Sequence, residues 1–590
     1  MEQTHSAGTP SLPLLARRGT MEILACGATA IVYLGTLAFG FVYDDEPQIL
    51  KNPAIQSWRY LPEYFTSHVW SAIYPHSTGN YYRPLFLLWL RLNYVMFGAR
   101  PAGWHATSIL CHVVATLLVF RVTEQLTLDR RIAFLAALIF GLHPAHIENV
   151  AWISGVTDPL MACLVLGSCS AFLSYRESRK TSHLALSLSC FVLALLAKET
   201  AIILPLLILA LAWIIPDGPT ELETPGPDLV AALRLAAPFI IVVPVYLIIR
   251  YHALNGFAHA LISISWTQVF LTWPSVLWFY AKHLLLPMHV SEFYPLDYVR
   301  SFTTSAVLLP LLFLIAVGAG VVGLIRLLPQ KRAAWFAVIL IVLPLLPVLD
   351  LRSLTVGDIV HDRYLYLPSV GFAILVAMAI VALGDRLSER SSMLVPTGVA
   401  AVVCLYFAAM TLSGQMQWAN NILLYTRGLE SAPDNLTVRD NLANALLGAN
   451  QPDRAIPLYL DVLRRNPDFW RSNYNLGFAY YKAGNAAGAE ASLKRAILID
   501  GSDSDQYIYL ALAEFQQQNY TVAAENARKA IARNPDARGY HFILGMIDEA
   551  AHDSGGAIAA FRAELERHPD NASAAKELQK LEGTASTSAR

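Results

Sequence analysis

Charge is what this sequence has least of. Only 15% of its 590 residues are Asp, Glu, Lys or Arg, and mean hydropathy is +0.44. Soluble domains carry about 25% charged residues, so a chain soluble along its whole length is excluded. The two signs nearly cancel, to a net charge of −1, which leaves no cationic field for a nucleic-acid partner. Cysteine is also sparse. Cys26, Cys111, Cys163, Cys169, Cys190 and Cys404 all lie in apolar stretches and none forms a C-x-x-C pair. Small buried apolar side chains are the expectation for them, not a metal site or a disulfide framework.

What is present is divided unevenly. Residues 21–413 hold nearly all the long apolar runs, whereas 414–590 read as a polar, Ala-rich helical protein. The run at 21–40 follows Arg17 and Arg18 and is long enough to cross a bilayer. Asp44 and Asp45 follow it where a cleaved leader would have small residues, so an uncleaved first helix is predicted. Further apolar segments lie near 84–98, 104–121, 131–143, 158–175, 183–197, 200–215, 234–250, 268–287, 304–326, 333–350, 365–383 and 394–413.

Basic loops set the expected orientation. Arg17–Arg18, Arg130–Arg131, the stretch 176–180, Lys331–Arg332 and the stretch 386–390 are all assigned to the inside. Parity then forbids two of the apolar segments from crossing. The weakest is 84–98, which carries Arg91 and Asn93; 268–287 is the second, and both are assigned as re-entrant or interfacial. Eleven crossings remain, with the N-terminus in the cytoplasm and the C-terminus on the outer, periplasmic or lumenal, side. Three polar clusters, 44–82, 143–158 and 350–363, then fall on that outer face, where ionisable groups near membrane depth are functional candidates.

The polar third repeats. Leu442, Leu476, Leu510 and Leu544 are spaced by 34 residues, as are Ala455, Ala489, Ala523 and Ala557. Small residues follow each leucine (Ala443, Gly477, Ala511, Gly545), and Pro433, Pro467, Pro535 and Pro569 keep the register, with Gly501 in the remaining place. This is the tetratricopeptide (TPR) period, in which small residues let paired helices approach. Asp434, Asp468, Asp536 and Asp570, each after a proline, are the expected helix N-caps. The predicted fold is all-α. It comprises a cytoplasmic tail (1–20), a multi-spanning membrane domain (21–413), a linker with a half repeat (414–435), four repeats (436–571), and a capping helix with a disordered tail (572–590).

Five constellations could carry chemistry, and the first four have plainer alternatives. Phe41-Val42-Tyr43-Asp44-Asp45-Glu46 offers adjacent carboxylates as a general base or a divalent-cation site, or simply a solvated acidic cap. His143-Pro144-Ala145-His146-Ile147-Glu148, running on to Asp158, offers two histidines at i, i+3 for a metal or a phosphate, or a polar loop with interfacial histidines. It is not H-E-x-x-H, so the zincin reading fails. Lys198-Glu199 is either a charge-compensated turn or a head-group contact. Arg363, in His361-Asp362-Arg363-Tyr364, suits bidentate phosphate binding or an interfacial anchor. Arg83, after Tyr81-Tyr82, is the weakest candidate. A TPR array is a binding surface, either a plain scaffold or a groove that presents a substrate.

The ordered set FVYDDEPQILKNPAI, HPAHIENVAWISGVTD, AKET and DRYLYLPSVGF, ahead of TPR repeats, resembles the transmembrane-and-TPR-containing (TMTC-type) proteins. These are glycosyltransferases of the GT-C class, similar in layout to the protein O-mannosyltransferases. The resemblance covers about residues 21–580. It implies a GT-C-like membrane domain, a polyprenyl-phosphate sugar donor, and transfer to a hydroxyl of a protein acceptor on the outer face. It also implies that Asp44 or Asp45 is the catalytic base. Arg83, His143, His146, Lys198 and Arg363 are then the donor or phosphate candidates, with Glu46, Glu148, Asp158 and Glu199 as supporting acids. A divalent cation, if one is held, would use Asp44, Asp45, His143 and His146. The sequence departs from the family where relatives read HTE and RAD, having Ile147 and Val156-Thr157 before Asp158, and where they read KEQG, having Thr200 after Glu199. The competing expectation is a non-catalytic membrane scaffold whose repeats recruit envelope proteins.

Overall fold

The computed structural model describes residues 19–75, 77, 79–214, 228–257, 262–302, 304–354, 357–387 and 394–588. Regular structure among them is entirely helical. The chain divides after Ala432 into a membrane unit and a repeat unit. The tail before residue 19 and the acidic loop up to residue 227 lie outside the described residues.

Every apolar segment read from the sequence is a helix. Among the described residues, eight helices are long and apolar enough to cross a membrane, or nine if the bent pair Arg130–Leu142 and Pro144–Ala151 is one span. Thr181–Ala197, Glu199–Ile214 and Pro84–Phe97 are apolar but shorter, and the expected eleven crossings would need the first two of these to cross as well. The helix Trp266–Leu285 forms but is not among the eight. The 53° bend at residue 143 has a local cause. A residue before proline is pushed out of the helical region, and His143, which precedes Pro144, adopts φ −68°, ψ 127°.

Burial separates the helices into two classes. Within Ile153–Ser178 and Pro368–Arg386, 72% and 67% of the apolar window is buried, against 11% for Ser305–Leu327. The first two therefore form the centre, and exposed Leu312 and Ile315 mark the third as lipid-facing. Inside, polar side chains tie helices together: Ser168 donates to the Ser187 carbonyl and Ser187 to the Ser168 carbonyl, each at 2.8 Å. The predicted half repeat is the helix Asn421–Ser431, and it belongs to the membrane unit. Its Tyr425 ring lies 6.4 Å from Tyr43 and 6.1 Å from Phe293, and Asn421 donates to Glu46 at 2.6 Å.

The repeat unit consists of four helix pairs, from Leu436–Gly448 with Pro452–Arg465 to Tyr540–Ala550 with Ser554–Arg567, closed by Ala572–Ser588. Ala455, Ala489, Ala523 and Ala557 are fully buried. Gly477 and Gly545 are small because the partner helix presses on them: a Cβ there would lie 2.5 Å from Leu493 Cγ and 2.6 Å from Phe561 Cε1. The expected caps need correction. In the helices that follow the prolines and Gly501, the side chains that cap are Asn435, Asp503 and Asn571, and neither Phe469 nor Gly539 supplies one. Each Pro-Asp pair occupies the turn at least one residue ahead of the N-cap. Asp434, Asp468, Asp570 and Asp536 instead meet Arg465, Arg495, Arg538 and Arg567, at 2.8, 2.6, 2.9 and 3.7 Å.

Candidate active site in the membrane unit

The first helix (Thr20–Tyr33) and its 3-10 extension to Ala38 deliver the chain to a turn in which Tyr43 has φ +55°. A positive φ is costly for a bulky aromatic residue and persists only where its surroundings hold it. Here Asn421 accepts from the Tyr43 amide at 2.9 Å, and the Tyr43 ring packs 5.6 Å from Trp152. The two aspartates that follow are thereby given different surroundings.

Asp45 is fully buried and its carboxylate is committed. One oxygen accepts from the Ser154 amide at 2.9 Å and the Ser154 hydroxyl at 2.6 Å; the other accepts from the Val42 amide at 3.2 Å. It staples the first loop to the segment before the helix Thr157–Ser178. Asp44 has no such partner among the described residues and lines a cavity of about 270 Å³. Burial pushes Asp44 up to about 6, against the opposing pull of Arg363, and pushes Asp45 up to about 7 against its hydrogen bonds.

The same cavity gathers four cations, Arg83, Lys198, Arg250 and Arg363, with Trp70, Tyr81, Trp152 and Tyr364 in its walls. Three of the four are paired. Arg83 makes a two-pronged contact with Glu199, at 3.0 and 2.6 Å, and stacks on Tyr81. Lys198 contacts both oxygens of Asp158 at 2.7 and 2.6 Å, with both side chains buried. Arg363 meets Glu148 through its guanidinium at 2.5 Å and its amide at 3.0 Å, and reaches Glu292 at 3.2 Å. Lys198 and Asp158 are both buried, and Arg363 meets a buried Glu148; such pairs fix side-chain geometry because separating them leaves a buried charge without solvent. Asp362 plays a supporting part: His283 lies 2.8 Å from one oxygen and the Tyr294 hydroxyl donates to the other.

The two histidines go elsewhere. His143 donates to the Leu284 carbonyl at 3.1 Å and packs 4.5 Å from Phe407; His146 lies 2.8 Å from the Ser369 hydroxyl, between Phe140 and Tyr366. Neither is among the cavity-lining residues. Glu46 is engaged by Asn421. A different group could hold a cation: Glu148, Glu292 and His361 each present a ligand atom within 4.8 Å of the others. Arg363 already lies against both carboxylates, so an ion there would share them with it. Burial and the neighbouring Glu148 push Glu292 well above the usual carboxylate range.

Two residues here escaped the sequence reading. Glu292 lies in the irregular stretch after the helix Trp266–Leu285, and Arg250 lies near the end of the apolar helix Leu229–Leu254. Glu292 belongs to no motif. Arg250 looks like an ordinary basic end of a membrane helix, and its one signal is that it interrupts an apolar run five residues before Asn255.

Comparison with known proteins agrees with this layout. The family described as dolichyl-phosphate-mannose-protein mannosyltransferase matches residues 82–248, and tetratricopeptide repeats match 441–506 and 510–572. The mouse protein O-mannosyl-transferase TMTC3 is 26% identical over 572 residues, 89% of this chain and 61% of its own length. The Caenorhabditis elegans protein O-mannosyl-transferase F38B6.6 is 25% identical, over 76% of this chain and 63% of its own. Drosophila melanogaster Tmtc1, also named a protein O-mannosyl-transferase, reaches 37% identity over 193 residues, 32% of this chain and 22% of its own. Among solved structures, the crystal structure of MamA covers 28% of this chain and 96% of its own at 22% identity, with a TM-score of 0.25. The chain thus spans about three-fifths of the length of the first two of these curated relatives. From its first helix to its repeats, it is similar to the TMTC-type proteins that its ordered motifs resemble.

Proposed function

We propose that this protein transfers a sugar from a polyprenyl-phosphate donor to a hydroxyl of a protein acceptor, with Asp44 as the general base. The carrying observation is the contrast between the two aspartates. Asp45 spends both oxygens on the loop that holds the site, whereas Asp44 faces the cavity with its carboxylate uncommitted among the described residues. A base is most effective when its pKa lies near the working pH, and burial brings Asp44 to about 6. Asp44 takes the proton of the acceptor hydroxyl as its oxygen bonds to the sugar C1. The bond from C1 to the phosphate oxygen breaks, and the lipid phosphate leaves with the electron pair. Attack opposite the phosphate inverts the anomeric centre. Fixed cations around the cavity meet the charge that develops on the leaving phosphate.

The reading places the cavity and the repeats on the outer, periplasmic or lumenal, face, as the loop charges and crossing parity suggest, with the repeats binding the acceptor or a partner. The test is to incubate the purified full-length protein with a panel of polyprenyl-phosphate sugars and an acceptor protein, and to follow release of the polyprenyl phosphate. Turnover of at least one donor is expected. No turnover of any donor, with groove substitutions in the repeats alone disturbing its cellular role, would favour the non-catalytic scaffold.

A further inference from the structure

The four cations of the cavity are not equivalent. Arg83, Lys198 and Arg363 each contact at least one carboxylate, in Glu199, in Asp158, and in Glu148 with Glu292. Their charge is already answered inside the fold. Arg250 has no carboxylate partner among the described residues. Its guanidinium donates to two backbone carbonyls instead, Asn80 at 2.9 Å and Phe257. Carbonyl oxygens hold the group in place and leave its full positive charge uncompensated. The Arg250 Nε is buried and has no hydrogen-bond partner among the described residues, although the residue lines the cavity. A buried N–H without a partner is costly, and an acceptor that reached it would remove that cost.

We infer that Arg250 is the principal anchor for the donor's phosphate group, with the guanidinium fork taking two phosphate oxygens. This rests on the transferase reading and identifies the cation that carries it. Three features favour a phosphate. An arginine fork matches the spacing of phosphate oxygens. Pre-positioning by two carbonyls means little ordering is needed on binding. Arg250 also lies near the end of an apolar helix long enough to span a bilayer (Leu229–Leu254), and the ends of such helices are where lipid phosphates lie. Arg83, Lys198 and Arg363 then act as a fixed electrostatic wall, since moving any of them onto the ligand would strip a carboxylate of its partner, a buried one for Lys198 and Arg363.

The experiment measures binding of a short-chain polyprenyl phosphate to the full-length protein in detergent. It compares wild type with Arg250→Gln, Arg250→Lys and the control Arg131→Gln. Arg131 is exposed and paired with Asp129 and Asp385, away from the cavity residues. Losing a charge-assisted contact should weaken binding about tenfold or more in Arg250→Gln. Arg250→Lys, which keeps the charge and loses the fork, should fall in between, and the control should match wild type. Should Arg250→Gln not fold, Arg250→Lys carries the test, with weakening of about threefold or more expected. Inorganic phosphate should compete, far more weakly than the lipid, and phosphatidylglycerol vesicles should not compete. Wild-type binding that is unaffected by both substitutions overturns the assignment and leaves the transferase reading standing. Equal competition by phosphatidylglycerol overturns it in favour of a general head-group contact. No binding by wild type removes the transferase reading itself.

Discussion

In the membrane unit the charge pairs around the cavity are largely buried and span long stretches of chain, while the charge pairs of the repeat unit are mostly exposed and lie within a repeat or join it to the next. Lys198 and Asp158 are 40 residues apart with side chains 3% and 5% exposed, whereas Arg538 and Asp570 are 57% and 71% exposed. The two settings put opposite values on the same chemistry. An exposed pair exchanges one solvated state for another and contributes little. A buried pair carries a large desolvation cost and is destructive to break, so its presence marks where geometry must be held. The repeat unit draws its stability from a different source, the close apposition of helices at positions where only a small residue fits.

This contrast can be broken from either side. The largest effect is expected from Asp158→Asn, which leaves the Lys198 ammonium buried and unmatched. A loss of about 3–5 kcal/mol in the membrane unit is expected, read as a lowered melting temperature in detergent and reduced donor binding. Next comes Gly545→Leu, which drives a side chain into the Phe561 ring, 2.6 Å from where even a Cβ would sit. Overpacking costs about 1–3 kcal/mol; the repeat unit should unfold at lower temperature while donor binding stays unchanged. Loss of donor binding in that variant would show that the units do not act separately. A smaller, graded effect concerns pH. Burial raises Asp44 to about 6, and the base must be ionised to accept a proton. Transfer should therefore rise with pH through about 6 and be lost below it as Asp44 protonates; a rate flat from pH 5 to 8 would contradict this. Smallest is Arg538→Gln, which removes an exposed pair and should leave melting and binding indistinguishable from wild type.

How far each unit could be read from sequence follows from the same contrast. The repeats announce themselves because identical local rules recur every 34 residues, and Leu442, Ala455 and their equivalents fall where the period puts them. What failed there was local detail: the aspartates after the prolines lie ahead of the caps and bind arginines. The apolar segments were equally legible, since each is a helix. The site was legible only as a set of suspects. Asp44, Arg83, Lys198, Glu199 and Arg363 all line one cavity, but their partners lie 40, 116 and 215 residues apart in the chain, and no pattern of neighbours encodes such pairings. His143 and His146 suggested a shared helical face. Pro144 ends the helix at that point and a 3-10 turn carries both rings into aromatic surroundings. Arg250 was overlooked because a basic residue near the end of a membrane helix needs no explanation until its lack of a carboxylate partner among the described residues is visible.

The central claim is that the two adjacent aspartates divide the work, Asp45 holding the loop and Asp44 taking the proton. Its most direct test is Asp44→Asn in the full-length protein, with sugar transfer and polyprenyl-phosphate binding measured on the same preparation. Transfer should fall by about 100- to 10,000-fold, with binding within about twofold of wild type, because the phosphate is proposed to bind at Arg250. An Asp44→Asn protein that transfers sugar at the wild-type rate would contradict the account.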